Sequence, residues 1–132
     1  MRRSILSING HKPMGFLLQT VLSPYYYVTA VQDVFQGLAE LAKRDKMDLV
    51  LIDCDHHSGQ AADFIQHIST SGLYKTTPIV VLTSNGQWEN EHPGITGVVH
   101  VFNKPFSPKD MVDKINELMR WPSVQVLEAK HS

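Results

Sequence analysis

The sequence predicts an α/β fold in which an open parallel sheet of five strands has helices on both faces. Five short segments rich in aliphatic, aromatic and β-branched residues alternate with segments that have apolar residues at helical spacing. Two of the strand segments are apolar throughout, which is typical of strands covered on both faces. The 132 residues suit one domain, which we assign to residues 1–121, followed by a C-terminal tail at residues 122–132.

The predicted strands each have the length that is usual in globular proteins. They cover residues 4–8, 25–29, 49–52, 79–82 and 98–102. The third and fourth are the unbroken apolar runs, so they should be central strands. Right-handed crossovers would bring the carboxyl ends of all these strands to one edge of the sheet.

Helical spacing is visible after four of the strands. The apolar stripes are Met14, Leu17, Leu18, Val21 and Leu22; Val31, Val34, Phe35, Leu38, Leu41 and Ala42; Ala61, Phe64, Ile65 and Ile68; and Val112, Ile115, Leu118 and Met119. Pro13 suits the first turn of the first helix, and Ser107 followed by Pro108 marks the start of the last. Residues 84–93 contain only Trp88 as a large apolar residue, so a helix there should be short or poorly anchored.

The composition excludes several classes of protein. Twelve Lys and Arg against thirteen Asp and Glu give a net charge of -1, so no basic excess indicates nucleic-acid binding. The single cysteine, Cys54, cannot form an internal disulfide, which favours a reducing compartment. The apolar run behind the basic start ends at Ile8, too early for a signal peptide or a membrane span. We therefore expect a cytoplasmic protein that binds neither nucleic acid nor membrane.

Polar residues suited to phosphoryl chemistry follow three of the predicted strands. Asp53 follows the third strand, Thr83 the fourth and Lys104 the fifth. Each is ordinary by itself, because such residues commonly form turns or lie in solvated loops. At one edge of a sheet they would supply a nucleophile, a hydrogen-bond donor to a phosphoryl oxygen and a counter-charge.

Three segments of the chain resemble the receiver domain of two-component response regulators. They are DLVLID at 48–53, TPIVVLTS at 77–84 and NKPF at 103–106. The resemblance covers residues 3–120 and implies a doubly wound, flavodoxin-like fold. It also implies phosphoryl acceptance at Asp53, a switch hydroxyl at Thr83 and a phosphoryl-contacting lysine at Lys104. The peptide bond before Pro105 would then be cis.

The metal site that the resemblance implies is altered. The family ends its first strand with a pair of acidic residues that hold Mg²⁺, whereas this chain has Asn9 and Gly10. Because Mg²⁺ prefers anionic oxygen ligands, we expect it to bind weakly or not at all. Asp53 and Asp55 are the remaining candidate ligands, and an exposed loop position is the alternative for Asp55.

The loop after Asp53 departs from the family as well. His56 and His57 stand where the family usually has an aliphatic residue and a proline. A transition-metal role would need a third ligand. Histidine titrates near neutral pH, so protonation of this pair would change the electric field around Asp53.

The residues that transmit the switch in the family are also changed. Val101 stands three positions before Lys104, where the family commonly has an aromatic residue. Phe102 does not replace that ring, because neighbouring strand residues point to opposite faces. Trp88 is either an anchor for a partner or a residue packed on the sheet, and we favour packing.

These features predict an atypical, single-domain receiver, a phospho-accepting signalling domain rather than an enzyme. Its phosphoryl donor would be a histidine kinase or a phosphotransfer protein, its target another protein, and a homodimer is an option that the family offers. One alternative is a receiver-like scaffold that acts without phosphorylation and keeps Asp53 and Lys104 as an ion pair. A remote alternative is a phosphatase of the haloacid-dehalogenase type, because residues 53–55 resemble the nucleophile motif of those enzymes. That motif, however, belongs near the start of such a domain.

Overall fold

The computed structural model describes residues 2–43, 46–56 and 58–120. Strands and helices alternate along the chain, as predicted. The strands are β1 (Ser4–Ile8), β2 (Tyr27–Val31), β3 (Leu49–Asp53), β4 (Ile79–Thr83) and β5 (Val98–Asn103). The helices are α1 (Lys12–Leu22), α2 (Val34–Leu41), α3 (Ser58–Thr70), α4 (Trp88–Glu91) and α5 (Pro108–Arg120). No helix within the described ranges is long and apolar enough to cross a bilayer.

The sheet has five strands in the order β2-β1-β3-β4-β5, and every neighbouring pair is parallel. This confirms the flavodoxin-like, doubly wound fold. The chain moves outward from β1 to β2 and then crosses back to β3, so the direction of winding reverses between β1 and β3. In sheets of this kind, sites form beyond the carboxyl ends of the strands at that reversal.

The core consists of two apolar layers, one on each face of the sheet. Val50 and Ile52 of β3 point to the layer under α2 and α3, whereas Leu49 and Leu51 point to the layer under α1 and α5. Every residue of β3 and β4 is buried, as predicted for central strands. The buried helical residues facing these strands include Ala61, Phe64, Ile65 and Ile68 on one side and Leu18, Leu22, Met111 and Ile115 on the other.

The second strand begins two residues later than predicted. The backbone N–H groups of Tyr25 and Tyr26 both donate to the carbonyl of Leu22, so these residues form the turn that closes α1. Val31, predicted as part of the second helix, pairs with Ile8 at the end of β2 instead. The tyrosines have high strand propensity, but the carbonyl groups at the end of α1 need donors, and this requirement decides the boundary.

Helix starts and the short fourth helix agree with the sequence. Pro13 lies in the first turn of α1, and Ser107 Oγ accepts a hydrogen bond from the N–H of Asp110 at the start of α5. Helix α4 is a single turn of four residues. Trp88 is only 4% exposed and packs into the layer under α2 and α3, stacked on the ring of His92. Trp88 therefore packs on the sheet, as we expected, and is not exposed to a partner.

Candidate functional site

The site lies at the carboxyl edge of the sheet, where three strands deliver polar residues. Asp53 is the last residue of β3 and Thr83 is the last residue of β4, and both are buried. Lys104 follows β5, and its backbone N–H donates to the carbonyl of Thr83 over 2.9 Å. The peptide bond between Lys104 and Pro105 is cis. The parallel register therefore brings together residues that are far apart in the sequence.

A single ammonium group bridges two carboxylates at the centre of the site. Lys104 Nζ donates to Asp53 Oδ2 and, over 2.9 Å, to Asp55 Oδ2. The Asp53 side chain has no exposed surface, whereas the side chains of Lys104 and Asp55 are 18% and 20% exposed. Asp53 Oδ1 accepts the backbone N–H of Asp55 over 2.8 Å. The buried Asp53 charge is thus balanced by one cation and one backbone donor.

Asp55 lies in an exposed loop, as one alternative predicted, but its side chain is held by several hydrogen bonds. Its Oδ1 accepts from the hydroxyl of Thr83 over 3.1 Å and from the backbone N–H of Ser84 over 2.8 Å. Together with Lys104, three donors converge on this carboxylate. Sequence reasoning considered Asp55 as a metal ligand or a loop residue and missed these contacts. The sequence does not predict the role of Ser84, because every residue except proline has a backbone N–H and the residue type does not show which one donates.

The ionisation of these groups follows from their contacts. Burial opposes the charge on Asp55, but the hydrogen bonds from the Ser84 N–H and from Lys104 outweigh it and hold the pKa of Asp55 below its usual value. Burial also opposes the charge on Lys104, yet its hydrogen bonds to Asp53 and Asp55 raise the pKa of the ammonium. Burial and the two neighbouring carboxylates raise the pKa of the Cys54 thiol to about 12, so this cysteine is not a thiolate nucleophile.

These shifts predict how Asp55 contributes to stability at different pH values. Because its pKa is lowered on folding, its contribution is present above the unfolded value of about 3.9 and is lost as the pH falls further. The raised pKa of Lys104 acts in the opposite sense, so its contribution is lost as the pH rises beyond about 10.4. Urea unfolding of the wild type and of Asp55→Asn should be measured from below about pH 4 to above about pH 10. The difference between their free energies of unfolding should be largest near neutral pH and should become smaller at both the acidic and the basic end. A difference that does not change with pH would contradict the prediction.

The edge next to β1 contains a different set of groups. Asn9 is 3% exposed, and its Oδ1 accepts the backbone N–H of His11 over 2.9 Å. Its amide Nδ2 has no hydrogen-bond partner among the residues that the structure describes. The rings of His11 and His56 are stacked with their centroids 6.3 Å apart. His57 lies outside the described residues.

A model of the response regulator receiver domain family matches residues 5–116, which is most of the chain. The chain belongs to this family. Receiver domains are phospho-accepting signalling domains of two-component systems rather than catalytic enzymes, and they interact with histidine kinases. The phosphatase alternative is therefore wrong.

Two curated relatives illustrate where such domains occur. The phosphate regulon transcriptional regulatory protein PhoB of Escherichia coli strain K12 is 28% identical over 129 residues, which are 97% of this chain and 56% of that protein. The hybrid signal transduction histidine kinase D of Dictyostelium discoideum is 26% identical over 117 residues, which are 87% of this chain and 7% of that protein. This receiver domain therefore spans about half the length of PhoB.

Solved structures show the same fold. The chemotaxis response regulator CheY4 of Vibrio cholerae has a TM-score of 0.78 and 19% identity, covering 89% of this chain and 99% of that one. The phosphorylated cyanobacterial phytochrome response regulator RcpA has a TM-score of 0.76 and 21% identity, covering 94% and 96% of the two chains. At these identities the likeness shows the receiver fold alone.

The groups at the β1 edge of this receiver do not fit the Mg²⁺ that receiver domains typically use. Asn9 offers one neutral amide oxygen, which already accepts a hydrogen bond, and Gly10 offers no side chain. Asp53 and Asp55 are both paired with Lys104. Among the residues that the structure describes, no three His, Cys, Asp or Glu side chains lie close enough together to hold a metal ion. A hard divalent cation would have to compete with the lysine for the carboxylates of Asp53 and Asp55.

Val101, which the resemblance predicts to occupy the switch position, faces the opposite side of the sheet from its neighbour Phe102. Val101 packs against the layer under α2 and α3, whereas Phe102 is buried in the opposite layer. Phe102 contacts the ring of His100 edge to face and lies 6.0 Å from that of Phe106. Phe102 therefore does not replace an aromatic side chain at position 101.

Proposed function

We propose that this receiver domain accepts a phosphoryl group on Asp53 from a histidine kinase or a phosphotransfer protein. The observation that carries this proposal is the buried carboxylate of Asp53 in contact with Lys104, beside the hydroxyl of Thr83 at the same sheet edge. A nucleophile, a counter-charge and a hydrogen-bond donor are the groups that phosphoryl transfer to a carboxylate needs. Family membership supports the assignment.

The proposed step forms one bond and breaks another. A carboxylate oxygen of Asp53 attacks phosphorus, and the bond from phosphorus to the imidazole nitrogen of the donor breaks. The electron pair leaves with the imidazole, and the product is an acyl phosphate. Lys104 balances the charge that develops on the phosphoryl oxygens, and Thr83 donates a hydrogen bond to one of them. No step is assigned to Mg²⁺.

Signalling would follow from a change in protein contacts. A phosphoryl group brings about two negative charges and several strong acceptors to an edge where the donors are now engaged by carboxylates. Thr83 and Lys104 end or follow strands β4 and β5, so a change in their hydrogen bonds reaches the surface around α4 and β5. With valine at position 101, this transmission does not use the rotation of a ring.

Treatment with acetyl phosphate tests the acceptor role. The intact mass of the wild type should increase by one phosphoryl group, and Asp53→Asn should show no increase, because the amide is not a nucleophile at this position. Asp63→Asn, on helix α3, is a matched control and should be labelled like the wild type. Because the acidic pair is absent, labelling should be slow and should depend little on Mg²⁺.

The scaffold function is the competing outcome of the same experiment. It is favoured by one observation, the engagement of both acidic side chains by Lys104 in the unmodified protein. Absence of labelling in the wild type at all concentrations of acetyl phosphate, with and without Mg²⁺, would overturn the acceptor role. It would leave Asp53 and Lys104 as a fixed ion pair in a binding domain.

A further inference from the structure

Three hydrogen-bond donors converge on the carboxylate of Asp55. Its carboxylate accepts from Lys104 Nζ over 2.9 Å, from Thr83 Oγ1 over 3.1 Å and from the Ser84 N–H over 2.8 Å. Two of these donors, Lys104 and Thr83, are the groups that the proposed function assigns to the phosphoryl oxygens. A carboxylate with three converging donors is a smaller anion in the place where a phosphoryl group would bind.

There is little room for a phosphoryl group around the carboxylate of Asp53. The Asp53 side chain has no exposed surface, although it is the proposed nucleophile. The cavity that Asp53 lines on the β1 side, together with Gly10 and Asp33, measures about 30 Å³ and does not include Asp55. It has room for only about one or two water molecules, so it does not hold a phosphoryl group. On the other side Lys104 contacts both Asp53 and Asp55, and a phosphoryl group can reach the buried Asp53 carboxylate there only if a side chain moves.

Asp55 is the neighbour that can move at small structural cost. Its side chain is 20% exposed and lies in the loop between β3 and α3. Its backbone is fixed separately, because its N–H donates to Asp53 Oδ1. Rotation of the side chain into solvent would free three donors without disturbing that backbone contact. Lys104, by contrast, must stay to balance the charge of Asp53.

We propose that Asp55 is a built-in anion that occupies the phosphoryl position of the unmodified domain and must leave before Asp53 is phosphorylated. This inference rests on the proposed function, because it concerns the same site. Asp55 would hold Thr83 and Ser84 in the arrangement that a phosphoryl group would otherwise impose. It would also repel an incoming phosphoryl donor, which carries negative charge. Asp55 is thus a positioning residue that sets the rate of phosphorylation, not a catalytic residue.

Two substitutions test this role. Asp55→Ala removes the carboxylate, and Asp55→Asn keeps its size and one acceptor but removes its charge. Both variants should be labelled by acetyl phosphate at least tenfold faster than the wild type, measured by intact mass. Asp113→Asn removes a charge from an exposed ion pair on α5 and should leave the rate unchanged. Urea unfolding of each variant checks that it is folded under the labelling conditions.

A second readout follows the donor itself. Amide hydrogen exchange of Ser84, measured by NMR, should be at least tenfold faster in Asp55→Ala than in the wild type, because its acceptor is gone. Unchanged exchange would show that Asp55 does not engage this N–H, and labelling of the variants at the rate of the wild type would show that it does not obstruct the site. Either result overturns the inference while the acceptor role stands. If the wild type and both variants all fail to be labelled, the proposed function is overturned and this inference falls with it.

Discussion

Replacing Asn9 and Gly10 together with aspartate is expected to raise the affinity of this receiver for Mg²⁺ by at least tenfold. Each new carboxylate about 4 Å from a unit positive charge would add about 4 kcal/mol of gross attraction at an effective dielectric constant near 20. Desolvation cancels much of this, but about 1.4 kcal/mol is enough for a factor of ten. The two new carboxylates would also be ligands that are not paired with Lys104, so Mg²⁺ would not have to compete with the lysine for them.

The structure accommodates both substitutions. Asn9→Asp keeps the oxygen that accepts from His11 and removes an amide group without a partner in the described part of the chain. A Cβ added at Gly10 would lie 3.4 Å from Cβ of His56, which is an ordinary van der Waals distance. Gly10 is also not one of the glycines with positive φ, so its backbone does not require glycine.

Calorimetric titration with Mg²⁺ measures the effect. The double variant Asn9→Ala and Gly10→Ala changes the same positions without adding charge, and it should bind Mg²⁺ as weakly as the wild type. In the aspartate variant, labelling by acetyl phosphate should become strongly dependent on Mg²⁺. If the aspartate and alanine variants bind Mg²⁺ with equal affinity, the absence of the acidic pair does not explain weak Mg²⁺ binding by the wild type.

Lys104→Met is expected to destabilise the domain by about 3 kcal/mol, because it leaves the fully buried carboxylate of Asp53 without its cation. The effect should be at the lower end of what is found for buried pairs, since Lys104 itself is partly exposed. Asp53→Asn should restore most of the loss when it is combined with Lys104→Met. The comparison separates the uncompensated charge of Asp53 from the loss of lysine packing and of the contact with Asp55.

Urea unfolding at neutral pH provides the measurement. Lys109→Met removes the cation of the exposed pair between Lys109 and Asp113, and it should leave the free energy of unfolding nearly unchanged. If Lys104→Met is no more destabilising than Lys109→Met, the pair at the centre of the site does not balance a buried charge. The electrostatic description of the site would then be wrong.

Much of the fold could be predicted from the sequence, because strands that are buried on both faces, such as β3 and β4, consist of unbroken apolar runs. The convergence of Asp53, Thr83 and Lys104 follows from the topology, since parallel strands end at one edge. The start of β2 could not be predicted, because the backbone donors of Tyr25 and Tyr26 close α1 rather than extend a strand. The tail at 122–132 lies outside the described residues.

The contacts of Asp55 were beyond sequence reasoning for a different reason. They depend on a side-chain rotamer and on the backbone N–H of Ser84, neither of which is encoded in residue type. The same sequence position is compatible with a loop residue and with a metal ligand. Only the geometry shows that its carboxylate is taken up by three donors, and this changes the chemistry expected of the site.

Direct identification of the modified residue is the sharpest test of the claim that this edge of the sheet accepts a phosphoryl group. Borohydride reduces an acyl phosphate to an alcohol, so an aspartyl phosphate becomes homoserine, which tandem mass spectrometry can locate. After treatment with acetyl phosphate and borohydride, we expect homoserine at position 53 and at no other aspartate. Homoserine at position 55, or its absence from position 53 in a protein that has gained a phosphoryl group, would contradict the assignment of Asp53 as the acceptor.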